Sequence, residues 1–437
     1  MAPSVELVGR NSLFNRGMNA AIAIDRHWAY VGSRTDGTHA DAGVLVLDIA
    51  NPRNPVVVNR IDRPEQARRG QTSRELRIWP EKDLLLVLNF ACSSFIHDCA
   101  EEDVTPTIQF YDIRGSKAAD PDLVHTYRPA REPHEFYLWD DPDRPGRALL
   151  YMSTPDGPDN VLVADISRAR QGQVRETFSG IRIKGEALHS LSLNPGGTRA
   201  YLSYLEKGFL VADTKDFARD APDPQLRLIT RPRDSADWSG PGAHSAVKMF
   251  GTPHALVTDE VYGTFGGLLT GHGCPWGWIR VIDIRNPRQP SVSAQHRVFP
   301  YNFRRYCDRV SYLRQNYSSF TAHNPTLTQN LAFITWHSAG LQVLDIADPQ
   351  SPEQAGEFKP RPLPFVFTED PALSSGVDKV VMWSYPIIKD GLIYVVDVRN
   401  GLYVLRYTGD HAKEVRRIGF LEGNSNLGDA NRIASRR

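Results

Sequence analysis

Apolar residues recur with period two along most of the chain, and no long run carries the 3.6-residue period of a helix. The most regular stretches end in aspartate. GVLVLD, TIQFYD, NVLVAD, GFLVAD, WIRVID and GLQVLD close on Asp48, Asp112, Asp165, Asp213, Asp283 and Asp345. A seventh stretch, GLYVLR, carries Arg406 in that place. Val, Ile, Leu and Tyr at alternate positions suit a pleated strand. Asn-Pro and Asp-Pro pairs follow several of these runs, as in ANPRNP and ADPQSP. They are turn chemistry, since the polar side chain caps the turn and proline fixes φ.

Each such run reads as the third strand of a four-stranded unit. The stretch EALHSLSLNPGGTRAYLSY, Glu186 to Tyr204, shows the first strand, a tight turn and the second strand. Seven units, at about 18–62, 73–127, 133–178, 188–230, 243–298, 322–359 and 380–420, predict an all-β fold. The expectation is a seven-bladed β-propeller of four-stranded antiparallel blades, as one domain over 1–437. No blade buries both faces alone, so stability is shared around the ring. The N-terminal SVELVGR is expected to close the ring against the last unit.

Aligning the first strands by their turns puts Asn19, Arg74, His134, His189, His244, His323 and Trp383 at one position. In a propeller that strand lines the central channel. Four consecutive units thus offer imidazoles to one layer around the axis, a metal-site pattern. Neutral imidazole nitrogen suits Fe(II), Cu, Zn or Ni better than Mg or Ca. Fe(II) is the first expectation, Cu the next and Zn a third. The alternative is four structural histidines, each bonded to a neighbouring backbone. A register slip of one residue would turn any of them from the axis.

Other groups fall near this layer. Arg74 is a candidate for holding an anionic or carboxylate substrate, or for a salt bridge to a loop. Glu135 follows His134 and points the other way along a strand, where it could bond a ring nitrogen. Glu75 and Glu186 are further acids nearby. Long loops after the second strands carry His39, His97 and His272, and the short WHSAG loop carries His337. His337 is a candidate proton carrier or support for a ligand. Asn19 and Trp383 would line the channel, as would Trp276 and Trp278 if their loop folds inward. The Tyr-, Phe- and Arg-rich stretch before His323 reads as a lid, or as a patch against a partner subunit.

LVLDIANPRNPVVV and LQVLDIADPQSPEQ resemble the LVIVD repeat, which names a bacterial family of expected propellers. The resemblance covers about Met18 to Gly419 and implies the fold rather than an activity. The ring of four histidines is also similar to two known groups. Carotenoid-cleavage oxygenases hold Fe(II) with four His; selenium-binding proteins resemble thiol oxidases with a His-bound metal. That geometry implies a metal with open positions for O₂ or substrate. The expectation is a metal-dependent, oxygenase-like oxidoreductase with a small organic substrate. A lyase or hydrolase in the same channel, or a non-enzymatic binding propeller, are the alternatives.

Composition narrows the classes. Lys plus Arg equals Asp plus Glu at 51 each, so no basic excess marks a nucleic-acid binder. No apolar run is long enough to span a membrane. No secretory signal opens the chain, which reads as cytoplasmic unless a signal was removed. There is no GxSxG, P-loop, HExxH or dinucleotide fingerprint. Cys92 and Cys99 share a loop and would pair in an oxidising compartment. With His97 they are an unusual zinc alternative. Oligomeric state is not legible.

Overall fold

The computed structural model describes residues 4–62, 69–92, 99–100, 104–155, 157–238, 242–260, 277–298, 321–374, 376 and 378–435. The chain folds as an all-β propeller of antiparallel sheets. Four sheets are separate and four-stranded, each in simple chain order. They start with strands Glu135–Asp140, Leu188–Leu193, Ala243–Lys248 and Pro325–Leu327.

The expected seven-bladed propeller of four-stranded blades is not found: the described strands pair into fewer than seven sheets. Among the described residues the first two units share one eight-stranded sheet, joined at the Ser33–Ser73 pair. The last sheet has five strands: Val5–Asn11 pairs with Gly401–Tyr407 on one side, and Phe420–Leu421 adds to Ile387–Lys389 on the other. The N-terminal strand thus does join the last unit.

The strand periodicity explains the core. In strand Leu84–Ala91, Leu84, Leu86, Leu88 and Phe90 pack with Phe136, Leu138 and Leu150 of the next sheet. Leu85 and Val87 face the opposite way, toward Tyr30, Val44 and Val46. Inner strands are therefore apolar on both faces, while outer strands leave Val56, Val58, Leu123 and Val292 exposed.

The terminal aspartates share one contact throughout. Asp48, Asp165, Asp213, Asp283 and Asp345 each accept the backbone N–H two residues on, at 2.8–2.9 Å. Asp112 does so at 3.2 Å. These side-chain turns end the third strand and start the reversal.

Candidate metal centre

The first strands are bulged where the ring residues sit. Register shifts fall between Ser73 and Glu75, Leu188 and Ser190, and Ala243 and Ser245, so Arg74, His189 and His244 are the extra residues. A bulge re-aims its side chain relative to the pleat. Hydroxyls from the preceding sheet then fix the ring backbone. Ser153 donates to the His189 carbonyl at 2.7 Å, Ser190 to that of His244, and Thr258 to that of His323. Thr335 donates to the Trp383 carbonyl at 3.1 Å.

This brings the four ring histidines into one row. Neighbouring ring centroids are 4.4 Å apart for His134 and His189, 3.9 Å for His189 and His244, and 4.2 Å for His244 and His323. His337 extends the row, 5.0 Å from His323. It holds a φ of +30°, and its carbonyl accepts the Met382 N–H at 3.1 Å. His337 therefore stands in the cluster itself rather than behind it.

Glu260 completes the cluster, and sequence reasoning passed it over. Its carboxylate lies 3.3 Å from His244 Nε2, 3.3 Å from His323 Nε2, 3.5 Å from His337 Nε2 and 3.9 Å from His189 Nε2. It follows the second strand of the fifth unit, in the DEVYG phrase that opens a long loop. An acid at a channel mouth was the available signal, but it occurs in a single unit.

The far ring nitrogens settle the tautomers. His323 Nδ1 donates to the Trp383 carbonyl at 2.7 Å, which leaves the lone pair on Nε2. His244 Nδ1 and Ser245 Oγ lie 2.7 Å apart; with the Ser245 proton given to Asn324 Oδ1 at 3.1 Å, Nδ1 is the donor of that pair. Both Nε2 lone pairs then face Glu260. The Nε2 atoms of His244 and His323 and the Oε1 of Glu260 are buried without a hydrogen bond. Lone pair against carboxylate is repulsive unless a cation or proton sits between them. One proton serves one pair; a metal serves the set.

Spacing agrees. With metal–ligand bonds of about 2.1 Å, ligand atoms subtending about 90–109° lie about 3.0–3.4 Å apart. The two 3.3 Å separations fall within that range. His134 Nε2 and His189 Nε2, at 2.9 Å, are just below it. His244, Glu260 and His323 form one candidate metal-ligating group, and Glu135, His189 and His244 another.

Burial lowers the His189 pKa to about 4 and that of His337 to about 3, and takes His134 and His244 well below the usual value. These rings are neutral at pH 7, the form that binds metal. Burial pushes the Glu260 carboxyl up, while positive charge on His323 and His244, when those rings are protonated, pulls it well below its ordinary value. Glu135 is pushed well above its ordinary value, by burial first and then by Glu75. Glu75 itself pairs with Arg77 at 3.2 Å.

The remaining expected residues divide. Trp383 packs on His323 with centroids 4.9 Å apart. Arg74 lies over the rings of Phe90 and Trp383, 5.3 Å from each centroid. Asn19 is buried away from the row: it accepts from Arg16 at 2.7 Å and donates to the Val398 carbonyl at 3.0 Å, tying the first unit to the last. His39 lies 3.5 Å from Asp36, and Trp278 sits beside Arg280 and Arg297. His97, His272, Trp276 and nearly all of the aromatic stretch before His323 lie outside the described residues. Cys92 and Cys99 form a disulfide, which removes the zinc alternative.

A cavity of about 790 Å³ reaches the cluster, with His134, His189 and Glu260 in its wall.

The LVIVD repeat family model matches residues 323–359. No curated protein matches the sequence. The fold is similar to the WD40 β-propeller domain of Doa1, with TM-score 0.53 and 10% identity over 92% of this chain and 97% of that one. It is also similar to Sqt1 of Chaetomium thermophilum, with TM-score 0.50 and 12% identity over 90% and 86%. At such identity the likeness shows the fold alone. The similarity to carotenoid-cleavage oxygenases and selenium-binding proteins thus stays one of expected geometry.

Proposed function

We propose that the chain is a metal-dependent enzyme, of oxidoreductase type, with its metal held by His244, His323 and Glu260. His134, His189 and His337 flank that set. The observation that carries the reading is the convergence of unpaired, buried Nε2 atoms of His244 and His323 on the Glu260 carboxylate. Two histidines and one carboxylate with room for further ligands is the pattern that non-haem Fe(II) oxygenases use. Fe(II) is therefore the first metal to test, then Cu and Zn. A bound metal would supply Lewis acidity and an open position for O₂ or a substrate oxygen. Around it, His134 and His189 hand a hydrogen bond along the row. Trp383 closes one side against water.

The test is anaerobic loading with Fe(II) followed by nitric oxide, read by electron paramagnetic resonance. A high-spin iron–nitrosyl signal at one per chain supports an open iron site. No signal after stoichiometric loading contradicts it.

A second reading, a binding propeller without chemistry, draws on the likeness to the WD40 domain of Doa1. It expects no tightly held metal. No helix among the described residues is long and apolar enough to cross a membrane. The Cys92–Cys99 bond favours an oxidising compartment over the cytoplasmic setting expected from sequence.

A further inference from the structure

The two ligand histidines are joined behind the centre through the side chain of Asn324. This residue follows His323 and is fully buried. Its backbone is fixed on the neighbouring strand: its N–H donates to Thr335 Oγ1 at 3.1 Å, and its carbonyl accepts the Thr335 N–H at 3.2 Å. Its Nδ2 donates to the Trp383 carbonyl at 3.1 Å, the same oxygen that accepts from His323 Nδ1 at 2.7 Å. Its Oδ1 accepts from Ser245 at 3.1 Å, and Ser245 Oγ lies 2.7 Å from His244 Nδ1. The far nitrogens of His244 and His323 therefore end in one network.

That network has a direction. Turned over, the Asn324 amide would set Oδ1 against the Trp383 carbonyl, two acceptors with no proton between them. The carbonyl thus fixes Nδ2, and the amide's other end must then be an acceptor. A serine hydroxyl has one proton to give. With that proton on Asn324, Ser245 accepts from its other two partners, His244 Nδ1 and the Tyr385 hydroxyl at 3.2 Å. Without Asn324 the opposite arrangement opens. Ser245 would donate to His244 Nδ1, and the ring would carry its proton on Nε2, 3.3 Å from Glu260. That state puts a proton where a ligand lone pair is needed.

We infer that Asn324 is a positioning residue of the centre: through Ser245 it holds His244 as the Nδ1–H tautomer and so keeps the Nε2 lone pair toward Glu260. The Trp383 carbonyl sets His323 directly and His244 through this relay. The inference rests on the proposed centre for what the lone pair is for, and not for the tautomer, which belongs to the metal-free protein.

The test is a long-range proton–nitrogen NMR correlation on chelator-treated protein labelled with nitrogen-15 at histidine. Protonated and unprotonated ring nitrogens differ widely in shift, and His244→Gln identifies the His244 signals. Wild type is expected to carry the His244 proton on Nδ1. Asn324→Leu is expected to move it to Nε2 and to weaken metal binding by about tenfold or more. Asn324→Asp keeps an acceptor for Ser245 and is expected to restore the Nδ1–H form. His323, held by the Trp383 carbonyl, should stay Nδ1–H throughout and so reports an intact site. A wild-type His244 with its proton on Nε2 overturns the inference, whether or not the leucine variant folds. So does an Nδ1–H signal that persists in a folded Asn324→Leu protein. The Nδ1–H form in a protein that never holds metal supports this network and contradicts only the metal centre. Full metal in a protein whose free form carries the proton on Nε2 does the reverse.

Discussion

Glu260 Oε1 lies 3.3 Å from His323 Nε2, and the far nitrogen of that ring is already committed to the Trp383 carbonyl. The ring can therefore offer Glu260 only a lone pair unless it carries a second proton. Removing the carboxylate should test what lies between them. Glu260→Gln keeps the shape and removes the charge. Metal content is expected to fall by about tenfold or more, since even outer partners of metal ligands change affinity by ~10–100-fold. A His189→Ala, His244→Ala double variant should lose metal as well. Full occupancy in either protein contradicts the assignment.

The hydroxyl clamp on the ring backbone gives a second prediction. Thr258 donates to the His323 carbonyl, and Thr258→Val leaves that buried acceptor unpaired. A loss of about 1–2 kcal/mol in unfolding free energy is expected. Metal affinity should fall too, because His323 loses its register. Unchanged chemical denaturation and unchanged affinity would show that the clamp does not position the ring.

Asp48 gives the matching control. Its carboxylate only accepts the Ala50 N–H at the end of a third strand. Asp48→Ala should cost about 0.5–1.5 kcal/mol by the same measurement and leave metal content alone. A drop in metal would mean that stability and site are not separable here.

Asp62 is expected to contribute to the pH dependence of stability, beside Asp140, Asp259 and Asp397, whose carboxyls burial raises in the same direction. Burial raises the Asp62 carboxyl to about 6, against a hydrogen bond from Ser73. The folded state thus keeps a proton that the unfolded chain releases near pH 4. Its contribution is fully present below that pH and is lost as pH rises through about 6. The change is about 3 kcal/mol. Asp62→Asn should flatten the fall in melting temperature between pH 4 and pH 7, and an unchanged slope contradicts the assignment.

What was legible in the sequence was what repeats. The terminal aspartates could be read because an Asx turn needs only a residue and the N–H two positions on. His134, His189, His244 and His323 could be read because each opens a first strand at a similar distance from its second. What was not legible depends on contacts between units. Glu260 follows one second strand only, so no repeat marks it. His337 joins the cluster through a left-handed turn that no periodicity signals. Asn19 shares the alignment position but is drawn into hydrogen bonds with Arg16 and Val398 instead. The Ser33–Ser73 pair joins two expected blades through a single bridge, and Phe420–Leu421 adds a fifth strand to the last sheet. Neither has a side-chain pattern of its own.

The most direct measurement is elemental analysis by mass spectrometry on protein purified without a histidine tag or added metal. It should be run beside Glu260→Gln. The account predicts about one equivalent of a single transition metal per chain in the wild type, iron before copper or zinc, and a large loss in the variant. Wild-type protein that holds no metal, even after exposure to Fe(II), Cu(II) and Zn(II), would contradict it.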